Sequence, residues 1–318
     1  MIRLGVVGTS AICEKFIAAA RATARFDLVA VYSRDAERGR AFAAKHGFST
    51  SFTDLSAMAK EIDAVYIASP NVCHAPQSRL FLNAGVHVLC EKPIAVCAQE
   101  YRDTKALADR MGCIYIEAII PRHLADREVI RQALRQIGPL SMVRINYSQR
   151  SSRLDAFLAG ETPNIFNMSL HAGALMDLGI YCVYGALDLL GIPQSIDAKA
   201  HFMRGCDMAG AVTLDYGSFP AVLTYSKTGD TALGSEFIGQ NGTLQVNMIS
   251  LYSGISLNGN PLGSSLDRIA RMQGEALAFA DLIEGNRNDY QVISDLTDAV
   301  HACMDEIKIK ANIRYKEK

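Results

Sequence analysis

Ile2-Arg3-Leu4-Gly5-Val6-Val7-Gly8-Thr9-Ser10-Ala11-Ile12-Cys13 opens the chain, and its reading decides the fold. A short apolar run rich in β-branched residues meets a glycine, and an alanine-rich helical stretch, residues 11–24, follows at once. Such a junction aims backbone N–H groups at the start of a helix, where a pyrophosphate binds. A strict dinucleotide fingerprint reads G-x-G-x-x-G, and here only its first glycine, Gly8, is present; it permits the tight turn. Ser10 is small enough for a phosphate to approach, and its hydroxyl and N–H can donate to it. Gly8, Thr9, Ser10, Ala11 and Ile12 are therefore the first cofactor candidates.

The same alternation runs on through residues 28–32 and 36–46, 64–68 and 75–84, 86–90 and 98–111, and 113–117. Repeated βαβ units predict an α/β fold whose parallel sheet carries helices on both faces. The second strand ends Val31-Tyr32-Ser33-Arg34-Asp35. An NAD site wants a carboxylate at that tip, whereas a hydroxyl and a guanidinium suit a 2′-phosphate, so NADP is preferred over NAD. Ser33, Arg34 and, one turn on, Arg38 are the contacts. Asp35 reads as a helix N-cap, with a swing toward the ribose as the alternative. Ser69-Pro70-Asn71-Val72-Cys73-His74 shapes the loop after the fourth strand and offers Ser69, Asn71 and His74.

Glu91-Lys92-Pro93 follows the buried run Val86-His87-Val88-Leu89-Cys90. It sets a lone ammonium at the carboxyl end of a strand, where an open parallel sheet binds its ligand, and the proline fixes the backbone. Lys92 can hydrogen-bond a substrate oxygen next to a nicotinamide, and Glu91 and Lys92 join the cofactor candidates.

At 318 residues the chain fits two domains, residues 1–120 and 121–318. A hydrophobic content of 49% with a net charge of -1 argues against nucleic acid or an anionic membrane and leaves small molecules as partners. The opening apolar run is too short for a signal peptide or a membrane span, and no longer apolar stretch is read elsewhere. Eight cysteines without a C-x-x-C or a Cys/His cluster point to a reducing, cytoplasmic compartment and to no metal site.

In the second half, residues 170–190 read as one apolar helix with Asp177 and Tyr181 four apart on one face. A carboxylate in so apolar a helix needs a partner, and Lys92 is the natural one. Arg122 and His123, where the first domain hands over to the second, are substrate-binding or hinge residues. Residues 147–153 and 161–167 are polar insertions that suit a lid or a plain surface. Residues 196–202, 209–216, 220–226 and 236–246 alternate as antiparallel strands, the last broken by the hairpin signal Asn241-Gly242. An outer sheet face rich in apolar residues would be covered by a second copy, giving a homodimer or tetramer. Closing helices over residues 266–284 and 294–311 are expected to pack on this domain.

Gly5-Val6-Val7-Gly8-Thr9-Ser10, Tyr32-Ser33-Arg34, Ser69-Pro70-Asn71-Val72-Cys73-His74, Glu91-Lys92-Pro93 and Gly173-Ala174-Leu175-Met176-Asp177-Leu178-Gly179-Ile180-Tyr181 stand in the order and spacing of one family. Through them the chain resembles the glucose-fructose oxidoreductase and inositol dehydrogenase (Gfo/Idh/MocA) family over nearly its whole length. The resemblance implies an N-terminal Rossmann domain and a C-terminal α/β domain whose large, mostly antiparallel sheet carries the substrate site and the oligomer interface. It also implies NAD(P)-linked hydride transfer on a sugar, cyclitol or diol, with Lys92 as the family's catalytic lysine. Residues 177–181 align with the family's D-x-x-x-H, but Tyr181 replaces the histidine, as in members similar to dimeric dihydrodiol dehydrogenase.

On that pattern Tyr181 is the acid/base group, because a phenol beside an ammonium has its pKa lowered from about 10. Lys92 supplies the charge and holds the same substrate oxygen, and Asp177 orients the lysine or a second hydroxyl; the roles of Lys92 and Tyr181 are exchangeable. A non-catalytic NADP-binding redox sensor is the alternative, and it has no use for Lys92, Asp177 and Tyr181 together. A methyltransferase would want an acid at the second strand tip.

Overall fold

The computed structural model describes residues 1–315. Two compact units form, Met1–Ile120 with Asp267–Thr297, and Pro121–Leu266 with the chain from Asp298 onward. In the first, β1 (Ile2–Val7), α1 (Ala11–Ala22), β2 (Phe26–Tyr32), α2 (Ala36–His46), β3 (Thr50–Phe52), α3 (Leu55–Ala59), β4 (Ala64–Ile67), α4 (Asn71–Asn83), β5 (His87–Glu91), α5 (Ala98–Arg110) and β6 (Tyr115–Ala118) alternate. The strands are parallel in the order β3-β2-β1-β4-β5-β6. The order reverses at β1, so the crevice beyond the carboxyl ends of β1 and β4 is where such a sheet takes its ligand. Burial on both faces accounts for the unbroken apolar runs: every residue of β4 is buried. No apolar run announces β3 and α3, since Thr50-Ser51-Phe52 is short and half polar.

The second unit contains α6 (Asp126–Gln136), β7 (Leu140–Ser148), α7 (Leu154–Leu158), α8 (Ile180–Leu190), β8 (Ser195–Met203), β9 (Cys206–Asp215), β10 (Pro220–Ser226), β11 (Ser235–Gly239), β12 (Gly242–Met248), β13 (Ser253–Leu257) and β14 (Asn260–Leu262). Its sheet runs β14-β13-β12-β11-β7-β10-β9-β8. All neighbours are antiparallel except β7 and β10. Gly239 pairs with Gly242, so the β11–β12 hairpin turns through Gln240 and Asn241, one position before the expected Asn241-Gly242. β7 lies inside the sheet, so Tyr147 and Ser148 end a strand and do not begin a lid.

The outer face of this sheet departs from the expected apolar one. β7 exposes Met142 and Arg144, β8 exposes Ser195, Asp197 and Lys199, and β12 exposes Gln245 and Asn247 on this face. Alternation buries one set of side chains and leaves a mainly polar set outside, so apolar burial supplies little drive for association there.

The closing helices also differ from expectation. α9 (Arg268–Ile283) returns to the first unit and packs on α1. Phe279 stacks on Phe26 at 6.4 Å, and Arg25 pairs with Asp281 at 2.9 Å and with Glu284. α10 (Tyr290–Lys310) begins in the first unit, where the Tyr290 hydroxyl accepts from the Tyr115 N–H, and enters the second from Asp298. Residues 121–318 are thus not one contiguous domain.

Met168–Leu190 is long and apolar enough to cross a bilayer, a length the sequence reading passed over, but most of it is buried inside the protein. Nor is it one helix. A 3₁₀ turn, Met168–Leu170, is followed by His171 at φ +51° and Gly173 at φ +125°, and a π-helical turn, Leu175–Gly179, leads into α8.

Candidate functional site

In the first unit β1 stops at Gly8, whose φ is +120°. A Cβ there would lie 2.9 Å from the Ala68 carbonyl oxygen and 3.2 Å from the Cys13 sulfur, so only glycine lets the turn pass so close to the end of β4. Ser10 is the N-cap of α1 but makes no side-chain cap; its hydroxyl lies 3.4 Å from Cys13 Sγ. The helix-start N–H groups are left to a ligand phosphate, and the turn from Gly8 to Ile12 is open or half-buried. A dinucleotide fits this cradle.

The end of β2 divides its polar residues between structure and surface. Asp35 caps α2, accepting from the N–H groups of Glu37 at 2.9 Å and Arg38 at 3.1 Å. Ser33 is buried and accepts from the Asp35 N–H at 3.2 Å. Arg34 and Arg38 are exposed, and Arg38 Nη2 donates to the Thr9 carbonyl at 3.2 Å, which brings a guanidinium onto the glycine turn. Asp35 is occupied as a cap, and the local surface charge is cationic.

Lys92 follows β5 and is half-buried, with a cis bond to Pro93. Its loop is held by side chains from three elements. Glu91 accepts from the Lys92 N–H at 3.2 Å and from the Tyr66 hydroxyl at 2.5 Å, and burial raises its pKa. Glu117, fully buried on β6, accepts from the Ile94 N–H at 2.8 Å. His74, on α4, sets Nδ1 2.8 Å from the Pro93 carbonyl and Nε2 2.7 Å from the Ser69 carbonyl.

Two cofactor candidates are thereby corrected. His74 is 1% exposed with both ring nitrogens against backbone carbonyls, and Glu91 turns its carboxylate to Tyr66 and its own neighbour; each braces the Lys92 loop. Ser69 donates to Gln77 at 2.7 Å, and Asn71, the first residue of α4, is half-buried. Tyr66 and Glu117 escaped the sequence reading because both lie inside strands whose apolar neighbours mask them.

In the second unit Asp177 lies in the π-helical turn and Tyr181 in the first turn of α8. A π-turn inside a helix is a recurrent feature of functional sites. The partner this unit gives Asp177 is Lys227, one residue past β10, whose Nζ is 3.0 Å from Asp177 Oδ2. Lys227 carries no signal in the sequence, since it directly follows an ordinary alternating strand. The Tyr181 ring meets Tyr147 of β7 edge-on, centroids 5.5 Å apart.

Below the π-turn, Asp207 of β9 is fully buried and accepts from the Leu175 N–H at 2.8 Å. Burial pushes its pKa up to about 7, against the pull of the Leu175 N–H and the Lys227 charge. Arg122 and His123 stand in a 3₁₀ turn, Ile120–His123. Burial, then Arg122 and Arg127, lower the His123 pKa to about 3, so its ring is neutral at any working pH. Arg127 in turn grips Asp188 in the last turn of α8, at 2.6 Å.

Comparison with known proteins agrees with this layout. Residues 2–119 match the model of an oxidoreductase family with an NAD-binding Rossmann fold, GFO_IDH_MocA, and residues 127–245 match the GFO/IDH/MocA C-terminal domain. The scyllo-inositol 2-dehydrogenase (NADP(+)) IolU of Bacillus subtilis is 40% identical over 252 residues, 78% of this chain and 77% of that protein. The trans-1,2-dihydrobenzene-1,2-diol dehydrogenase of Mus musculus is 30% identical over 272 residues, 81% of this chain and 78% of its own. Among solved structures, KijD10, a 3-ketoreductase from Actinomadura kijaniata in complex with NADP and TDP-benzene, superposes with a TM-score of 0.85 over 98% of both chains at 22% identity, a likeness of fold.

Proposed function

The chain belongs to the Gfo/Idh/MocA oxidoreductase family, and from that premise we propose that it oxidises or reduces a secondary alcohol carbon of a polyol with Lys92, Tyr181 and Asp177 as its working groups. It is an NAD(P)-dependent oxidoreductase acting on CH–OH groups of sugars, cyclitols or diols, and the non-catalytic sensor is set aside.

What supports the assignment of groups is their placement: Lys92 directly follows β5 on a loop braced by Glu91, Glu117 and His74, and Asp177 sits in the π-turn ahead of Tyr181. The residues that would hold the dinucleotide are the turn from Gly8 to Ile12, with Arg34 and Arg38 toward a 2′-phosphate. When bound, the nicotinamide supplies the hydride acceptor or donor. In the oxidative direction the Tyr181 oxygen accepts the hydroxyl proton as the carbinol C–H bond breaks. The Lys92 ammonium donates a hydrogen bond to the same oxygen and favours the phenolate. Asp177 accepts from a neighbouring substrate hydroxyl, which fixes the face presented for transfer. Arg122 and His123, a neutral donor or acceptor, complete the substrate contacts. Reduced-nicotinamide absorbance over a panel of scyllo-inositol, D-xylose and trans-dihydrodiols tests this; no turnover with any polyol would count against it.

The preference for NADP rests on Asp35 being spent as a cap while Arg34 and Arg38 face solvent. Arg34→Ala is expected to weaken NADPH by about 1.5–3 kcal/mol and leave NADH unchanged, because one charge-assisted contact to the 2′-phosphate is lost. Nucleotide fluorescence titration reads both; equal wild-type affinities for the two would undo the preference.

We also assign the protein to a reducing cytoplasmic compartment, in keeping with eight free cysteines, and to a homodimer or tetramer built on the sheet of the second unit. Because the outer face is polar, that contact is expected to rest on hydrogen bonds and ion pairs and to weaken with salt. Light scattering that finds a monomer at micromolar concentration in low salt would refute the assembly.

A further inference from the structure

Lys227 is 1% exposed, an uncommon location for an ammonium, and its backbone is anchored in the sheet region: its N–H donates to the Met208 carbonyl at 2.8 Å, and its carbonyl accepts from the Ser151 N–H at 2.9 Å. The side chain reaches Asp177, Ile165 and Phe166. Nζ lies 3.0 Å from Asp177 Oδ2, donates to the Ile165 carbonyl at 3.1 Å, and stands 4.9 Å from the centroid of the Phe166 ring. A buried ammonium is costly unless its charge is matched, and a carboxylate, a carbonyl and a ring face together match it. Asp177 is the more accessible member of the pair, its side chain 29% exposed.

We propose that Lys227 is a positioning residue for substrate recognition: it locks the Asp177 carboxylate in one orientation and ties it to the turn Asn164–Phe166, so that one buried cation sets both the acceptor for a substrate hydroxyl and the loop beside it. The inference rests on the role given above to Asp177. One carboxylate oxygen faces Lys227, and the exposed part of the carboxylate accepts from a hydroxyl adjacent to the reacting carbon. The ligand class is therefore a vicinal diol or polyol. The ion pair stops the carboxylate rotating away. Lys227 itself acts through Asp177 and the Ile165 carbonyl.

The test is a double-mutant cycle on Asp177 and Lys227, using the panel polyol of highest turnover. Lys227→Met is expected to raise KM for the polyol 30-fold or more, lower kcat by less than that, and leave NADPH affinity unchanged. In an Asp177→Asn background the same substitution is expected to change kcat/KM by less than threefold, because its effect is already lost. The double variant removes both members of the buried pair and so remains measurable where Lys227→Met alone fails to fold. Independent, multiplying losses would show a general structural role and overturn the proposal, as would a Lys227→Met enzyme with wild-type KM beside an impaired Asp177→Asn. An Asp177→Asn enzyme with wild-type turnover would overturn instead the reading of Asp177 on which the inference rests.

Discussion

Lys92→Met is expected to leave an enzyme that still binds NADPH but turns over 10²–10⁴-fold more slowly, the range in which a positioned acid/base group contributes. On the roles proposed above, the substitution removes a hydrogen bond to the substrate oxygen together with the ammonium charge that would favour the phenolate. Tyr181→Phe removes the group that carries the proton and is expected to lose about as much. If the two act on one oxygen as proposed, the double variant should be little worse than either single one. The fold around Lys92 is expected to survive its loss, since the hydrogen bonds that brace the loop go to its backbone: Glu91 to the Lys92 N–H, Glu117 to the Ile94 N–H and His74 to the Pro93 carbonyl. Full turnover in Tyr181→Phe with a dead Lys92→Met would transfer the proton step to the lysine, and loss of NADPH binding in Lys92→Met would show that the loop, not the ammonium, had been damaged.

The parallel sheet was readable because its strands are buried on both faces and so appear as unbroken apolar runs, with glycine and caps marking the turns between them. β3 was not, since a three-residue edge strand carries no period. β7 escaped for a different reason: Leu140–Ser148 exposes Ser141, Met142 and Arg144, so its pattern is half polar and its end looked like a loop. At the candidate site, Lys92, Asp177 and Tyr181 could be named because each is a polar residue in an otherwise apolar setting. Their supports could not. Lys227, Glu117 and Asp207 come from strands far away in sequence, and pairing across a sheet leaves no local signal. The helix expected over residues 170–190 failed at its start because the break depends on Asp207, a residue thirty-four positions beyond Gly173 in the sequence.

That break sets the second large expectation: Gly173→Ala should destabilise the protein by more than about 3 kcal/mol and cost most of the turnover. Two effects add. At φ +125° an L side chain is strained by about 1–3 kcal/mol. The new Cβ would also fall 1.8 Å from Asp207 Oδ1, and Asp207 cannot shift without giving up the Leu175 N–H that it accepts at 2.8 Å, a buried bond worth about 1.5–3 kcal/mol when the carboxyl is ionised. Loss of that bond loosens the start of the π-turn, and Asp177 and Tyr181 move with it. Gly160→Ala separates the two effects, because Gly160 has φ +103° but nothing within 4 Å of the added carbon, and it should cost the backbone strain alone. Asp207→Ala removes the clash, so its combination with Gly173→Ala should be less destabilised than the sum of the two single changes. Urea unfolding of the four variants measures this directly. Equal losses for Gly173→Ala and Gly160→Ala would mean that the close approach of Asp207 is not what holds the turn that carries Asp177.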